Sequence, residues 1–283
     1  MTATFRLSAF GDEISADLAE QLQTLTGLNV HGLDLRGAWG KNVAKMDDED
    51  VARVKQVCAE YGVSIACLGS PVGKSPLMEP ISYELGNLTR LMVIGKALGT
   101  NRIRIFSFYP PDLSDTGAYD SHVPAAAERL VELARLAEQE GFILLLENEK
   151  GIIGDTPERC LALVKAVNSP ALRFAWDPAN FIQVGVEKPI ERGWAGLKPF
   201  IGYIHIKDAR VADGKVTPAG EGDGQVRELL SNLKAMDYQG TLALEPHLKV
   251  AGHSTGFSGP EGMMIAVNAL RKLMTETGCE EVK

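Results

Sequence analysis

Four stretches of the chain, "AEYGVSIACLGS", "KALGTNRIRIFSF", "AEQEGFILLLENE" and "MDYQGTLALEPH", repeat one arrangement. Each is the tail of an amphipathic helix, then a glycine, then a short apolar run. Gly62, Gly99, Gly141 and Gly240 stand where a helix C-terminus calls for a left-handed residue. The apolar runs have the composition of strands buried on both faces, which is the signature of a parallel sheet covered by helices. Strands are predicted over 5–10, 30–35, 63–68, 103–106, 143–147, 172–177, 201–205 and 241–245. Helices are predicted over 16–28, 48–61, 83–98, 124–140, 157–167, 190–198, 225–236 and 260–277. Thr156-Pro157-Glu158 is a helix start in itself, with Thr as N-cap and Pro at the first helical position.

Eight βα units in about 250 residues match a single (β/α)8 TIM barrel. No linker or break in composition divides residues 1–283, so one α/β domain is expected. The other fold for such a pattern is an open doubly wound sheet, which more often carries a glycine-rich phosphate loop after its first strand. Here that strand ends in "AFGDEIS".

Composition removes several classes of function. A formal net charge of −8 supplies no basic field for nucleic acid or an anionic membrane. No run of about 18 apolar residues is present to form a membrane span. The N-terminal "MTATFRLSAFGDEIS" has no signal-peptide core. Cys58, Cys67, Cys160 and Cys279 are far apart, which suits reduced, packed thiols. A cytoplasmic protein is expected, with a homo-oligomer left open.

Active sites of such barrels lie at the C-terminal ends of the strands. The last four candidate strands end in "ILLLENE", "LRFAWDPAN", "IGYIHIKD" and "TLALEPH". Strand side chains alternate between faces, so Glu147, Asp177, His205 and Glu245 fall in one inward ring. Glu149, Lys207 and His247 fall in a second ring nearer the mouth. Three carboxylates gathered in an apolar barrel repel one another, and a divalent cation neutralises them, with Lys207 offsetting the remaining charge. Three carboxylates and one imidazole favour Mn²⁺, and Mg²⁺, Zn²⁺ and Co²⁺ are also compatible.

The motifs "LLLENE", "WDPAN", "IHIKDAR" and "LALEP", in this order, resemble those of the xylose isomerase-like TIM barrels, the sugar phosphate isomerase/epimerase superfamily. "SAFGDEIS", "LDLRGAWGKNV", "GSPVGKS" and "GEGDGQV" resemble one branch of it. The resemblance implies that Glu147, Asp177, His205 and Glu245 are metal ligands. It also implies that Glu147 and Glu245 are an acid/base pair on either side of a bound sugar. Asn180 departs from the pattern, since members often carry His three residues after the strand-six Asp. Endonuclease IV-type relatives need several more histidines than the third and fourth strand ends offer here.

The expected function is a metal-dependent isomerase or epimerase of a keto- or aldo-sugar, or a sugar phosphate, working through an enediolate. One alternative is a dehydratase or lyase on keto-inositols or 3-keto-glycosides with the same site. Another is a non-catalytic sugar-binding barrel. Candidate substrate contacts are Glu149, Asn180, Lys207, His247, Lys74 and Arg210. Lys41 and Trp39 are loop residues with either a site or a surface role. Asp34 and Arg36 are expected to pair with each other. Asp12 and Glu13 are candidate caps of the following helix, and His31, His122 and His253 belong to no constellation.

Overall fold

The computed structural model describes residues 3–248 and 258–282. Eight parallel strands close on themselves: β1 (Thr4–Phe10), β2 (Gly32–Leu35), β3 (Ser64–Leu68), β4 (Arg102–Ile105), β5 (Ile143–Glu147), β6 (Leu172–Trp176), β7 (Ile201–Ile206) and β8 (Thr241–Leu244). Closure is the β8–β1 pairing, with Arg6 opposite Thr241 and Ala9 opposite Leu244. This is a single TIM barrel, as the pattern of βα units predicts.

The principal covering helices are α1 (Leu18–Gly27), α2 (Asp48–Tyr61), α3 (Ile81–Leu98), α4 (Tyr119–Glu140), α5 (Pro157–Val167), α6 (Pro178–Gln183), α7 (Pro189–Leu197), α8 (Val226–Ala235) and α9 (Gly259–Thr277). Their apolar faces pack on the outward strand residues in one continuous core. A smaller layer fills the barrel itself: Phe10, Cys67, Leu145, Ala175, Tyr203 and Ala243. It is the floor on which the functional cluster stands.

Gly62, Gly99 and Gly141 adopt the left-handed conformation at helix ends, with φ of 64°, 78° and 74°. Gly240 does not. Asp237 (φ 54°) takes that role after α8, and Gly240 lies against the Tyr238 ring, where a Cβ would collide. The N-cap of α1 is Asp17, not Asp12 or Glu13; its carboxylate accepts from the Ala19 and Glu20 amides. Helix α4 begins before Pro124 and includes it, following a turn capped by Asp115. Short elements absent from the sequence expectation include a helix after β6 and a strand near the C-terminus. Short helix α6 forms because Asp177 caps it, accepting from the Asn180 amide, and Pro178 occupies its first position. A two-residue strand, Glu280–Glu281, pairs with the start of β1. Among the described residues no helix is long and apolar enough to cross a membrane.

Candidate active site

The ring expected at the strand ends is present. Glu147, Asp177, His205 and Glu245 are all buried, and each offers a ligand-type atom within 4.8 Å of those of the others. Two of the four belong to strands proper, Glu147 ending β5 and His205 lying within β7. Asp177 and Glu245 immediately follow β6 and β8. The layer below holds the imidazole from the side: Phe10 meets His205 edge-on at 5.2 Å and Tyr203 does so at 5.9 Å.

His205 Nδ1 is 2.9 Å from Glu147 Oε1 and 3.8 Å from Glu245 Oε2. Asn180 Nδ2 donates to the same Glu147 oxygen at 3.2 Å and to the Asn148 carbonyl at 2.9 Å. Asn148 in turn accepts from the Asp177 amide and donates to its carbonyl, which locks β5 to the start of α6. Lys207 reaches back into the ring. Its Nζ lies 2.7 Å from Asp177 Oδ2 and 3.4 Å from Glu245 Oε2. His247, from the second ring, lies 3.0 Å from Glu13 and 3.4 Å from Glu245. Glu149 and Lys74 pair at 3.0 Å near the mouth. The residue before Lys74 is Gly73 (φ 81°), where any Cβ would collide with the Phe106 carbonyl.

Arg210 is not part of the site. It is exposed and pairs with Asp213 at 2.8 Å, within a turn in which its amide donates to the Lys215 carbonyl. The reason is local: the chain reverses after Ala209 into a two-strand hairpin, which carries Arg210 outward. Asp208 faces away from the ring, as expected from strand alternation. Its carboxylate accepts from the amides of Ala209, Gly220, Gly222 and Gly224 and so holds the glycine-rich loop after β7. Lys41 pairs with Asp50 at the surface, and Trp39 lies under the Arg53 guanidinium at 3.9 Å. His31 is exposed and His122 half-buried, while His253 lies outside the described residues.

Two arginines complete the cluster. Arg36 does not pair with Asp34, which accepts from the Tyr203 hydroxyl instead. Its guanidinium bridges Asp12 (2.7 Å), Glu13 (2.8 Å) and Glu245 (2.6 Å). Arg104, on β4, lies 3.3 Å from Glu147 Oε2 and 3.8 Å from Glu245 Oε1. The signal for Arg104 was available in "RIRIF": of two arginines on one strand face, the one further along the strand lies nearer the C-terminal mouth. Arg36 carried no comparable signal, because its partners come from loops remote in sequence.

These cations set the protonation of the ring. Burial alone would raise Glu147, but His205 and Arg104 hold it at about 2. Burial likewise opposes ionisation of Glu245, and Lys207, His247 and Arg36 outweigh it, holding it well below the usual carboxylate range. Burial, followed by the charges of Glu147 and Glu245, pushes Asp177 up to about 6 against the pull of Lys207. Burial would lower His247, but Glu13 and Glu245 raise it to about 9.

The donor set fits a divalent cation. His205 Nε2 is buried with no hydrogen-bond partner among the described residues, and the outer oxygens of Asp177 and Glu147 face only cations, Lys207 at 2.7 Å and Arg104 at 3.3 Å, whose place a metal ion could share. Charge neutralisation no longer speaks for a metal by itself, since Arg36 and Arg104 join Lys207 in facing the carboxylates.

The sequence profile of the xylose isomerase-like TIM barrel family matches residues 26–273. The chain belongs to this family. A stretch of 119 residues is 29% identical to an uncharacterized protein of Methanocaldococcus jannaschii, covering 41% of each protein. Solved structures extend the likeness to the whole barrel. D-psicose 3-epimerase from Clostridium cellulolyticum, solved with D-tagatose, has a TM-score of 0.73 at 16% identity, over 97% of this chain and 100% of the other. The probable 3-DHS dehydratase AsbF from Bacillus anthracis gives 0.71 at 17%, over 95% and 98%. A Mycobacterium smegmatis family member in complex with magnesium gives 0.70 at 18%, over 98% of each chain. At these identities the likeness is one of fold.

Proposed function

We propose that this protein is a divalent-metal-dependent isomerase or epimerase of a keto- or aldo-sugar, or a closely related polyol derivative. The observation that carries the proposal is the convergence of Glu147 and Glu245. They arise three strands apart, yet both approach His205 Nδ1, at 2.9 and 3.8 Å, and Arg104 Nη1, at 3.3 and 3.8 Å. Two carboxylates so placed suit removal of a proton beside a carbonyl and its return.

Glu147, Asp177, His205 and Glu245 would hold the cation, which when bound supplies Lewis-acid polarisation of the substrate carbonyl. Mn²⁺ suits the oxygen-rich set, and a magnesium complex is known for a protein of this fold. Glu147 Oε1 is occupied by His205 and Asn180, so Oε2, which has only the longer ion pair to Arg104 at 3.3 Å, would be the oxygen that takes the proton. Glu245 Oε1 is tied to Arg36 at 2.6 Å, and Oε2, with the longer contact to Lys207 at 3.4 Å, would serve the other face. Lys207 and Arg104 place positive charge beside the developing enediolate. Lys74, Glu149 and His247 line the approach and are proposed substrate contacts.

A panel of keto- and aldo-sugars incubated in D₂O with added Mn²⁺ tests this by NMR. Deuterium at a carbon next to the carbonyl is the expected result. Vinylic products would select the elimination chemistry of a dehydratase, which shares the first proton abstraction. Absence of exchange across the panel, together with failure to bind Mn²⁺, would overturn the proposal in favour of a sugar-binding barrel.

A further inference from the structure

Arg104 is a buried guanidinium with too few partners. Its side chain is 6% exposed. Its single hydrogen bond among the described residues runs from Nη2 to the Ser70 carbonyl at 3.5 Å, the outer limit of such a bond. Nε finds no acceptor at all. Nη1 has only the longer ion pairs to Glu147 and Glu245, at 3.3 and 3.8 Å. A guanidinium carries five N–H donors in a rigid fork, and leaving such donors buried and unmet is costly. By contrast, Arg36 in the same cluster satisfies three carboxylates at 2.6 to 2.8 Å.

The position of Arg104 is nevertheless firmly determined. The guanidinium carbon lies 5.0 Å from the Phe10 ring centroid and 4.8 Å from that of Phe106. Lys74 Nζ lies over the same Phe106 ring at 4.2 Å. The β3–β4 side of the site therefore presents two cations on one aromatic wall, away from the Lys207–Asp177 pair. Aromatic packing orients the guanidinium plane without using its hydrogen-bond donors.

We infer that Arg104 is a substrate-binding residue that receives a carboxylate of the substrate, so that the sugar handled here is a sugar acid or related keto acid. This rests on the proposed function and narrows its substrate class. A carboxylate presents two coplanar oxygens, which match the guanidinium fork and meet the donors the protein leaves unsatisfied. A phosphate monoester would bring a larger negative charge on a bulkier, non-planar group.

The test is binding, measured by calorimetry, of D-gluconate, neutral D-glucitol and D-glucose 6-phosphate. It uses the wild-type protein, Arg104→Met and Arg104→Lys, each with and without added Mn²⁺. The wild type is expected to bind gluconate at least about tenfold more tightly than glucitol. Arg104→Met should lose that preference, and Arg104→Lys, which keeps the charge but not the fork, should lose most of it. Equal binding of gluconate and glucitol overturns the inference. So does a preference for glucose 6-phosphate over gluconate. A gluconate preference that needs Mn²⁺ and survives in Arg104→Met assigns the carboxylate to the metal and likewise overturns it. Circular dichroism establishes that each variant is folded, and Arg104→Lys carries the test if Arg104→Met is not. Because no turnover is measured, failure here leaves the proton-transfer reading to the deuterium experiment.

Discussion

Arg36 Nη1 and Glu245 Oε1, 209 positions apart in sequence, meet at 2.6 Å. The same guanidinium holds Asp12 and Glu13, so one side chain ties the loop after β1 and the end of β2 to the end of β8. It crosses the seam at which the barrel closes. Its charge is needed there, because Glu13 and Glu245 are both buried.

Replacing Arg36 by Met should therefore destabilise the protein by about 3 kcal/mol, since it removes the closest cation of the buried Glu13 and Glu245 and leaves them to His247 and Lys207. Chemical denaturation measures this. A loss under 1 kcal/mol would mean that the three carboxylates find other partners or protonate at little cost.

Glu147→Gln and Glu245→Gln should each lower deuterium incorporation by roughly 10²- to 10⁴-fold, the usual contribution of a positioned general base or acid. Their far-ultraviolet circular dichroism should match the wild type. Wild-type exchange rates in both variants would remove the two glutamates from the chemistry.

Adding Mn²⁺ to chelator-treated protein should raise its stability, by about 2.7 kcal/mol when the free ion is a hundredfold above its dissociation constant. Metal analysis should find close to one ion per chain. His205→Ala and Asp177→Asn should abolish the stabilisation. A thermal melt unmoved by Mn²⁺ in the wild type would be decisive against the metal centre.

In chelator-treated protein, stability should also fall on the alkaline side. His247 has its folded-state value raised from 6.5 to about 9, because Glu13 and Glu245 overcome the opposing effect of burial. A raised histidine contributes stability that is fully present below pH 6.5 and is lost as pH rises through about 9. Denaturation curves from pH 6 to pH 10 should show this decline, and His247→Gln should flatten it. An identical slope in wild type and variant would place the effect elsewhere.

Asp208→Ala should loosen the loop after β7 while leaving the barrel folded. The carboxylate accepts amides from Ala209, Gly220, Gly222 and Gly224, and a Cβ at either Gly222 or Gly224 would strike it. Losing hydrogen bonds to a charged group costs about 1.5–3 kcal/mol each at most. Hydrogen exchange at the three glycine amides should rise sharply, and unchanged protection there would refute the latch.

Strand and helix periodicity make the barrel legible in the sequence, and strand alternation alone puts Glu147, Asp177, His205 and Glu245 on one level. Both are local regularities: a period of two along a strand and a glycine at a helix end depend on neighbours a few residues away. Lys207 was legible for the same reason, two residues from His205 on the same face. Arg210 was misplaced because alternation holds only while the strand continues, and here the chain turns into a hairpin after Ala209.

Closure of the barrel decided the rest. Arg36 was expected to find Asp34, its neighbour on the same strand face, and instead found Asp12, Glu13 and Glu245. Asp34 was left to the Tyr203 hydroxyl from across the barrel. Which charges pair in a buried cluster depends on distances of about 3 Å between side chains from different strands. Spacing along one chain does not encode those distances. Residue types and strand phase thus specified a ring of carboxylates and an imidazole from sequence alone. Only the closed barrel shows that the ring is already faced by Arg36, Arg104 and Lys207, and that the Arg104 Nε donor is unmet among the described residues.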